Sequence, residues 1–183
     1  MRVLLHVCCG PCAIYPADAL RAEGIELMLH FFNPNVQPYQ EFEKRLEAAR
    51  KFSEQAGLKM IEDLHYDPEE WFRKVAFRES FRCRICYRTR LEAAAYVAKK
   101  GKFDAFTTTM LYSKQQDHEL VRDLGEALAV ETGVSFMYRD FRKGWKEGIE
   151  KSLEMDLYRQ QYCGCIYSER DRFLGPPSRE RSR

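Results

Sequence analysis

The sequence contains no apolar run approaching the roughly 18 residues from which a membrane-spanning helix is built. Nor does it carry a dominant charge: 30 basic against 28 acidic side chains leave a formal net charge of +2. Charge alone therefore announces neither a nucleic-acid nor a membrane partner. An export signal is not expected either. Arg2 followed by Val3-Leu4-Leu5 has its outline, but His6 breaks the apolar run short of the roughly 7–15 residues of a signal core, and bulky Val7 precedes Cys8 where a small residue is required. The expected location is the cytoplasm. Internal repeats and linkers are absent too. The seven cysteines are an odd number, and with no leader expected they argue against a structural disulfide framework.

What is present describes one globular domain. In 183 residues, 45% are hydrophobic and 32% charged, enough for a single well-filled core. Val3, Leu4, Leu5 and Val7 predict a short buried strand ending at Cys8-Cys9-Gly10-Pro11-Cys12. Gly10 supplies the tight turn and Pro11 is preset for a first helical turn, so a helix is expected from Pro11 to Glu23. A second strand follows over Ile25–Phe32, and Asn33-Pro34-Asn35 ends it. Pro38 opens a helix with Phe42, Leu46, Ala49, Phe52 and Ala56 on one face.

Further strands are expected over Leu58–Leu64, Phe103–Thr108 and Val134–Tyr138. Between them a helix start is read at Asp67-Pro68, and a clear helix from Cys83 to Gly101 has Leu91, Ala94, Ala95 and Ala98 inward. A last helix is expected from a Ser113 cap to Gly133, with Leu120, Leu124, Ala127 and Leu128 inward. Strand and helix alternate about five times, the pattern of a mainly parallel sheet with helices on both faces. The fold class is α/β, one Rossmann-like domain over residues 1–174 with a helical C-terminal segment. Gly175 to Arg183, rich in Pro, Arg and Ser, is expected to be a disordered basic tail.

The cysteines fall in three tight groups, Cys8-Cys9-x-x-Cys12, Cys83-x-x-Cys86 and Cys163-x-Cys165. Grouped thiols point to metal or redox chemistry rather than packing. A strand–turn–helix places the first group at the carboxyl edge of the sheet, where α/β proteins build their sites. The positive end of a helix there favours thiolates. Cys83 and Cys86 share one helix face. Two pairs from separate segments provide four thiolates, sufficient for a zinc ion or a 4Fe-4S cluster. Their place on a sheet that needs no metal staple favours the cluster. Cys12, Cys163 and Cys165 are left to form a labile bridge, ligate a second metal, or pack.

Other polar residues carry a weaker signal. His6 reads as a core histidine, and His118 lies at the thiols' edge of the sheet. Asp117 reads first as a helix-start acid, with oxygen ligand or proton donor as the sharper alternative. Arg78, Arg82, Arg84, Arg88 and Arg90 surround Cys83 and Cys86, followed by Lys99, Lys100 and Lys102. Phe77, Phe81 and Tyr87 are interleaved with them, which suits phosphate contacts with base stacking.

Four ordered motifs carry a family resemblance. They are His-Val-Cys-Cys-Gly-Pro-Cys, Phe-Arg-Cys-Arg-Ile-Cys-Tyr-x-x-Arg-Leu, Thr-Thr-Thr-Met-Leu-Tyr-Ser-Lys-Gln-Gln and Tyr-Cys-Gly-Cys-Ile-Tyr-Ser. Together, from Arg2 to about Ser168, the chain resembles the QueH-type epoxyqueuosine reductases. The resemblance implies the last step of queuosine formation in tRNA, loss of the epoxide oxygen at the wobble position of the anticodon. It implies a domain related to nucleotide-binding PP-loop proteins, with Cys8–Cys12 in place of the phosphate loop. It also implies a 4Fe-4S cluster on Cys8, Cys9, Cys83 and Cys86, a redox-active Cys163–Cys165 pair, and an additional mononuclear iron nearby. Position alone offers Cys12 and Asp117 for that iron.

The partner would be a tRNA carrying epoxyqueuosine, with an electron donor the sequence does not specify. The expected chemistry is a two-electron reduction in which a metal centre acts on the epoxide oxygen as a Lewis acid. Two other readings stand beside it. One is an iron–sulfur-dependent tRNA sulfur transferase, which requires ATP and a Ser/Gly-rich phosphate cradle that the first loop lacks. The other is a zinc-stabilised RNA-binding module with no catalytic thiols.

Overall fold

Five short strands, all parallel, form one sheet in which the third, second, first, fourth and fifth in chain order lie side by side. They belong to a computed structural model that describes residues 1–175. The basic tail expected after Gly175 lies outside the described residues. Strand β1 (Arg2–Val7) occupies the centre and every residue after Arg2 is buried, which is why it reads as a continuous apolar run. Its neighbours are β2 (Glu26–Phe31), paired Arg2 to Glu26 through Val7 to Phe31, and β4 (Ala105–Thr108), paired Val3 to Ala105 through His6 to Thr108. Strands β3 (Met60–Glu62) and β5 (Ser135–Phe136) form the edges.

The edge strands are shorter than the apolar pattern suggested. Leu58 and Leu64 lie outside β3, and Val134 and Tyr138 outside β5, although single backbone bonds at Lys59, Asp63 and Met137 still tie the flanks to β2 and β4. Helix α1 (Gly10–Ala22) joins β1 to β2, and α2 (Tyr39–Ala56) joins β2 to β3. The short α3 (Pro68–Val75), capped by Asp67, precedes α4 (Arg82–Lys100). Helix α5 (His118–Thr132) follows β4. Helices α1 and α2 pack together, as do α4 and α5. Chain order reverses between β1 and β4, and a crevice at the carboxyl ends of strands opens at such a switch.

Helix α5 begins later than expected. Ser113 accepts the Gln115 N–H in a turn, whereas Asp117 Oδ1 accepts the Leu120 N–H at 3.1 Å and caps the helix. Its inward face is therefore Val121, Leu124, Gly125 and Leu128, and Ala127 is exposed. Beyond Asp140 the chain is helical as expected, with α6 (Trp145–Glu154) against α1 and α7 (Ile166–Leu174) after the last cysteine pair.

Candidate metal centre

Cys8 is the residue at which β1 gives way to α1. Its N–H donates to Thr109 Oγ1 at 3.1 Å, and that hydroxyl lies 3.3 Å from Cys8 Sγ. Thr109 follows β4, so the two central strands together fix the first thiol. Cys9 is the extended cap of α1, and Cys12 stands one turn inside it. The sulfurs of Cys8, Cys9 and Cys12 all lie within 4.8 Å of one another, with Cys8 Sγ and Cys9 Sγ 3.8 Å apart. The turn requires glycine at position 10, because a Cβ there would lie 2.2 Å from the Ala48 carbonyl oxygen of α2.

Three sulfurs so close do not ionise alike. Cys8 is held well below the ordinary thiol range by hydrogen bonds from Cys12 and Cys9, with help from Thr109 and Arg90. Cys12 is pushed up by the same contacts with Cys8 and Cys9, and Cys9 by burial. Cys8 is thus the first of the three to ionise, at a helix N-terminus. A soft cation bound there would draw the other two toward thiolate.

Cys83 and Cys86 open α4, the first exposed and the second buried. They lie outside the 4.8 Å group but near Cys163 and Cys165, whose charges act on both. Burial pushes the Cys86 thiol up to about 12, against the pull of Arg90. Arg90 Nη2 donates to Cys86 Sγ at 3.1 Å. This arginine, which the sequence assigned to a phosphate-binding patch, is 2% exposed and faces the thiols. Tyr87 is buried also, and its hydroxyl accepts the Asp117 N–H at 3.1 Å, so it is no stacking platform. Arg88 is paired with Glu131 at 2.8 Å.

The Cys163–Gly164–Cys165 segment comes from the far end of the chain and is held by the β2–α2 region. Arg45 of α2, 1% exposed, donates to the carbonyls of Cys163 at 2.7 Å and Tyr162 at 2.8 Å, while its Nε pairs with Glu41 at 2.7 Å. The Gln37 N–H donates to the Gly164 carbonyl at 2.9 Å, and Tyr162 Oη donates to the Gln37 carbonyl at 2.6 Å. Gly164 has φ 149°, a conformation suited to glycine, and a Cβ there would press on Arg45 and Asn35 at 3.1 Å. Gln116 Nε2 lies 3.0 Å from Cys163 Sγ, and Gln160 Nε2 3.3 Å from Cys12 Sγ. Cys163 and Cys165 are free thiols, so the bridge the sequence raised is open here.

All three cysteine groups therefore reach one edge of the sheet. The remaining candidates divide. His6 is a satisfied core histidine, its ring nitrogens 2.9 Å from Thr108 Oγ1 and 3.1 Å from the Phe32 carbonyl, and burial lowers it to about 3. His118 bonds Tyr138 Oη at 3.0 Å. Asp117 is an exposed helix cap outside the compact thiol group. Sequence reasoning missed Arg45, Gln116 and Gln160, and misplaced Arg90. Spacing held a signal for two of them: Arg45 stands four residues after Glu41 beside an apolar stripe, and Arg90 four after Cys86. Gln116 closes the third of the family motifs, which marked its segment without giving it a role; for Gln160 there was no signal.

The donor set fits a thiolate-bound metal group. Three sulfurs converge at a helix N-terminus, and two buried guanidiniums lie near enough for thiolate charge to act on them, Arg45 toward Cys9 and Cys8, Arg90 toward Cys86, Cys163 and Cys8. Both side-chain atoms of Asn35 and Oε1 of Gln116 are buried without a hydrogen-bond partner among the described residues. Gln116, whose Nε2 faces Cys163 Sγ, thus keeps a free acceptor beside the thiols.

Comparison with known proteins decides the family. The family model described as Epoxyqueuosine reductase QueH matches residues 3–171. The chain belongs to the QueH family. An epoxyqueuosine reductase QueH of Dehalococcoides mccartyi is 40% identical over 178 residues, covering 97% of each chain. That of Thermotoga maritima is 35% identical over 176 residues, covering 91% of this chain and 89% of its own. Among solved structures, a protein described as a predicted subunit of tRNA methyltransferase from Methanocaldococcus jannaschii superposes with a TM-score of 0.59. At 14% identity, over 84% of this chain and 75% of that one, it shares the fold alone. QueH relatives thus extend the resemblance carried by the four sequence motifs to 97% of this chain.

Proposed function

We propose that the protein reduces epoxyqueuosine to queuosine in tRNA, at the wobble position of the anticodon. The observation that carries this reading is the convergence of all three cysteine groups on one sheet edge, in a chain that matches the QueH model from residue 3 to 171. Cys8, Cys9, Cys83 and Cys86 are assigned to a 4Fe-4S cluster. Cys12, which shares the 4.8 Å group with Cys8 and Cys9, and Asp117 are the candidates for an additional iron. Such a metal group, when bound, supplies electron transfer and a Lewis acid for the epoxide oxygen.

Converting the epoxide to the alkene takes two electrons and two protons and releases water. Cys163 and Cys165 supply both as their two S–H bonds break and one S–S bond forms, and an external donor returns them to thiols. Gly164 gives the segment the backbone freedom this closure needs, while Arg45 holds its carbonyls in place. Gln116 positions the Cys163 sulfur. The cytoplasm is the compartment that keeps such thiols reduced. No helix among the described residues is long and apolar enough to cross a membrane.

Two measurements test the reading. Anaerobically purified protein is expected to be brown, with acid-labile sulfide and more than four irons per chain; colourless protein with about one zinc after iron and sulfide reconstitution overturns it. In a single turnover without added donor, the reduced protein is expected to form about one queuosine per chain and a Cys163–Cys165 disulfide detectable by mass spectrometry. If Cys163→Ser/Cys165→Ser turns over normally with a chemical reductant, the assignment of the pair is wrong.

A further inference from the structure

Between α3 and α4 the chain makes a sharp, wholly exposed turn. Phe77 stands there at φ 59°, a left-handed conformation that a bulky side chain rarely adopts, with its ring 99% exposed. The conformation is braced: Phe77 N–H donates to Glu79 Oε1 at 3.0 Å, and the flanking Ala76 and Arg78 N–H groups bond the Phe72 and Val75 carbonyls. A phenylalanine whose ring packs on nothing gains the fold no burial in return for that strain. Strain of this kind, held by its surroundings, marks a functional position. Phe81, 64% exposed, follows in a short 3-10 turn (Glu79–Phe81), and the exposed Cys83 comes two residues later.

The charge around these rings points to their occupant. Arg73, Lys74, Arg82 and Arg88 are each committed to a carboxylate. Arg78 and Arg84, exposed on either side of Phe81, have no acidic partner among the described residues. Glu79 Oε1 accepts the Phe77 N–H and forms no ion pair with either arginine. Two exposed rings interleaved with two uncommitted guanidiniums match unpaired nucleotides, whose bases stack and whose phosphates pair with arginine.

We infer that Phe77 and Phe81 are the stacking platform for the anticodon-loop bases beside the modified nucleotide, with Arg78 and Arg84 on the adjoining phosphates. The inference rests on the tRNA substrate proposed above and assigns its docking surface. Of the sequence-level patch, Arg90 and Tyr87 are buried and Arg82 and Arg88 are paired, which leaves Phe77, Phe81, Arg78 and Arg84 together at this turn. Docking there also accounts for an exposed Cys83: the nucleotide meets the centre from the side on which this turn lies.

The test is binding of a fluorescein-labelled anticodon stem-loop to the metal-loaded, full-length protein, followed by anisotropy across a salt series. Phe77→Ala is expected to weaken binding about tenfold while leaving the salt slope unchanged. Phe77→Trp should keep the affinity and Phe77→Leu should lose it, since stacking needs a ring. Arg78→Gln/Arg84→Gln should reduce the slope of log affinity against log salt by about 1.4, the single-strand value for two phosphates. Thermal melting of all variants should match the parent. Wild-type affinity in Phe77→Ala or in Phe77→Leu overturns the platform. A solution dimer of the parent that dissociates in Phe77→Ala also overturns it, by identifying a second copy as the occupant. A parent protein that binds no stem-loop overturns the tRNA reading itself and the platform with it.

Discussion

Arg45 shows how one buried charge can organise a distant segment. Its guanidinium is fully committed, with Nε on Glu41 and the two Nη groups on the carbonyls of Tyr162 and Cys163. Glu41 in turn accepts from Tyr158 Oη. Removing one partner of a buried ion pair leaves the other charge uncompensated, at a cost of about 3–5 kcal/mol. Arg45→Met is expected to lower the unfolding free energy by that amount in urea titrations, and adding Glu41→Gln should restore part of it. Arg90 teaches the complementary lesson. Its neighbours Arg82, Arg84 and Arg88 are at least partly exposed, so composition placed it among them, but the fourth residue after Cys86 on α4 returns to the buried face.

At the level of single elements, α1 is the most constrained, because its first turn both presents the thiols and touches α2. The close approach of Gly10 to the Ala48 carbonyl leaves no room for a methyl group. Gly10→Ala must push α1 from α2, and overpacking of this kind costs about 1–3 kcal/mol. Because the same shift separates Cys9 and Cys12 from Cys8, iron bound per chain should fall alongside the melting temperature, which elemental analysis and calorimetry would read together. Elements with one strong face were legible in the sequence. Leu91, Ala94, Ala95 and Ala98 are inward on α4, and Phe42, Leu46, Ala49 and Phe52 on α2. Helix α5 was misphased because two capping residues, Ser113 and Asp117, compete within one turn, and only the tertiary path after β4 chooses between them. The partners of the Cys163 segment were invisible because they come from Asn33–Pro38 and α2, over a hundred residues earlier.

The whole molecule should also respond to acid in a definite direction. His30, in the core beside His6, is lowered by burial from 6.5 to about 4. The unfolded chain takes up a proton near 6.5 that the folded chain refuses until about 4. Its contribution is therefore complete above pH 6.5 and is lost as pH falls toward 4, about 3 kcal/mol in all. Urea midpoints between pH 7.5 and 4.5 should fall accordingly, and His30→Gln should flatten part of that slope. The five-strand sheet itself was readable from the alternation of strand and helix. The centre was readable only as three cysteine groups, since spacing carries no information on how the loops fold back to the β1–β4 crevice.

That folding-back has a consequence for synthesis. The loop that reaches Cys12 through Gln160 and hangs on Arg45 is translated after every strand of the sheet. A ribosome can release the whole β-sheet, with Cys8, Cys9 and Cys12 already in place, while Cys163 and Cys165 are still inside its exit tunnel. Until they emerge, Arg45 lacks the two carbonyls that complete its bonding. The nascent protein thus passes through a stage in which its first thiols are assembled but uncovered, and the closing segment arrives as a latch on a site that is already built.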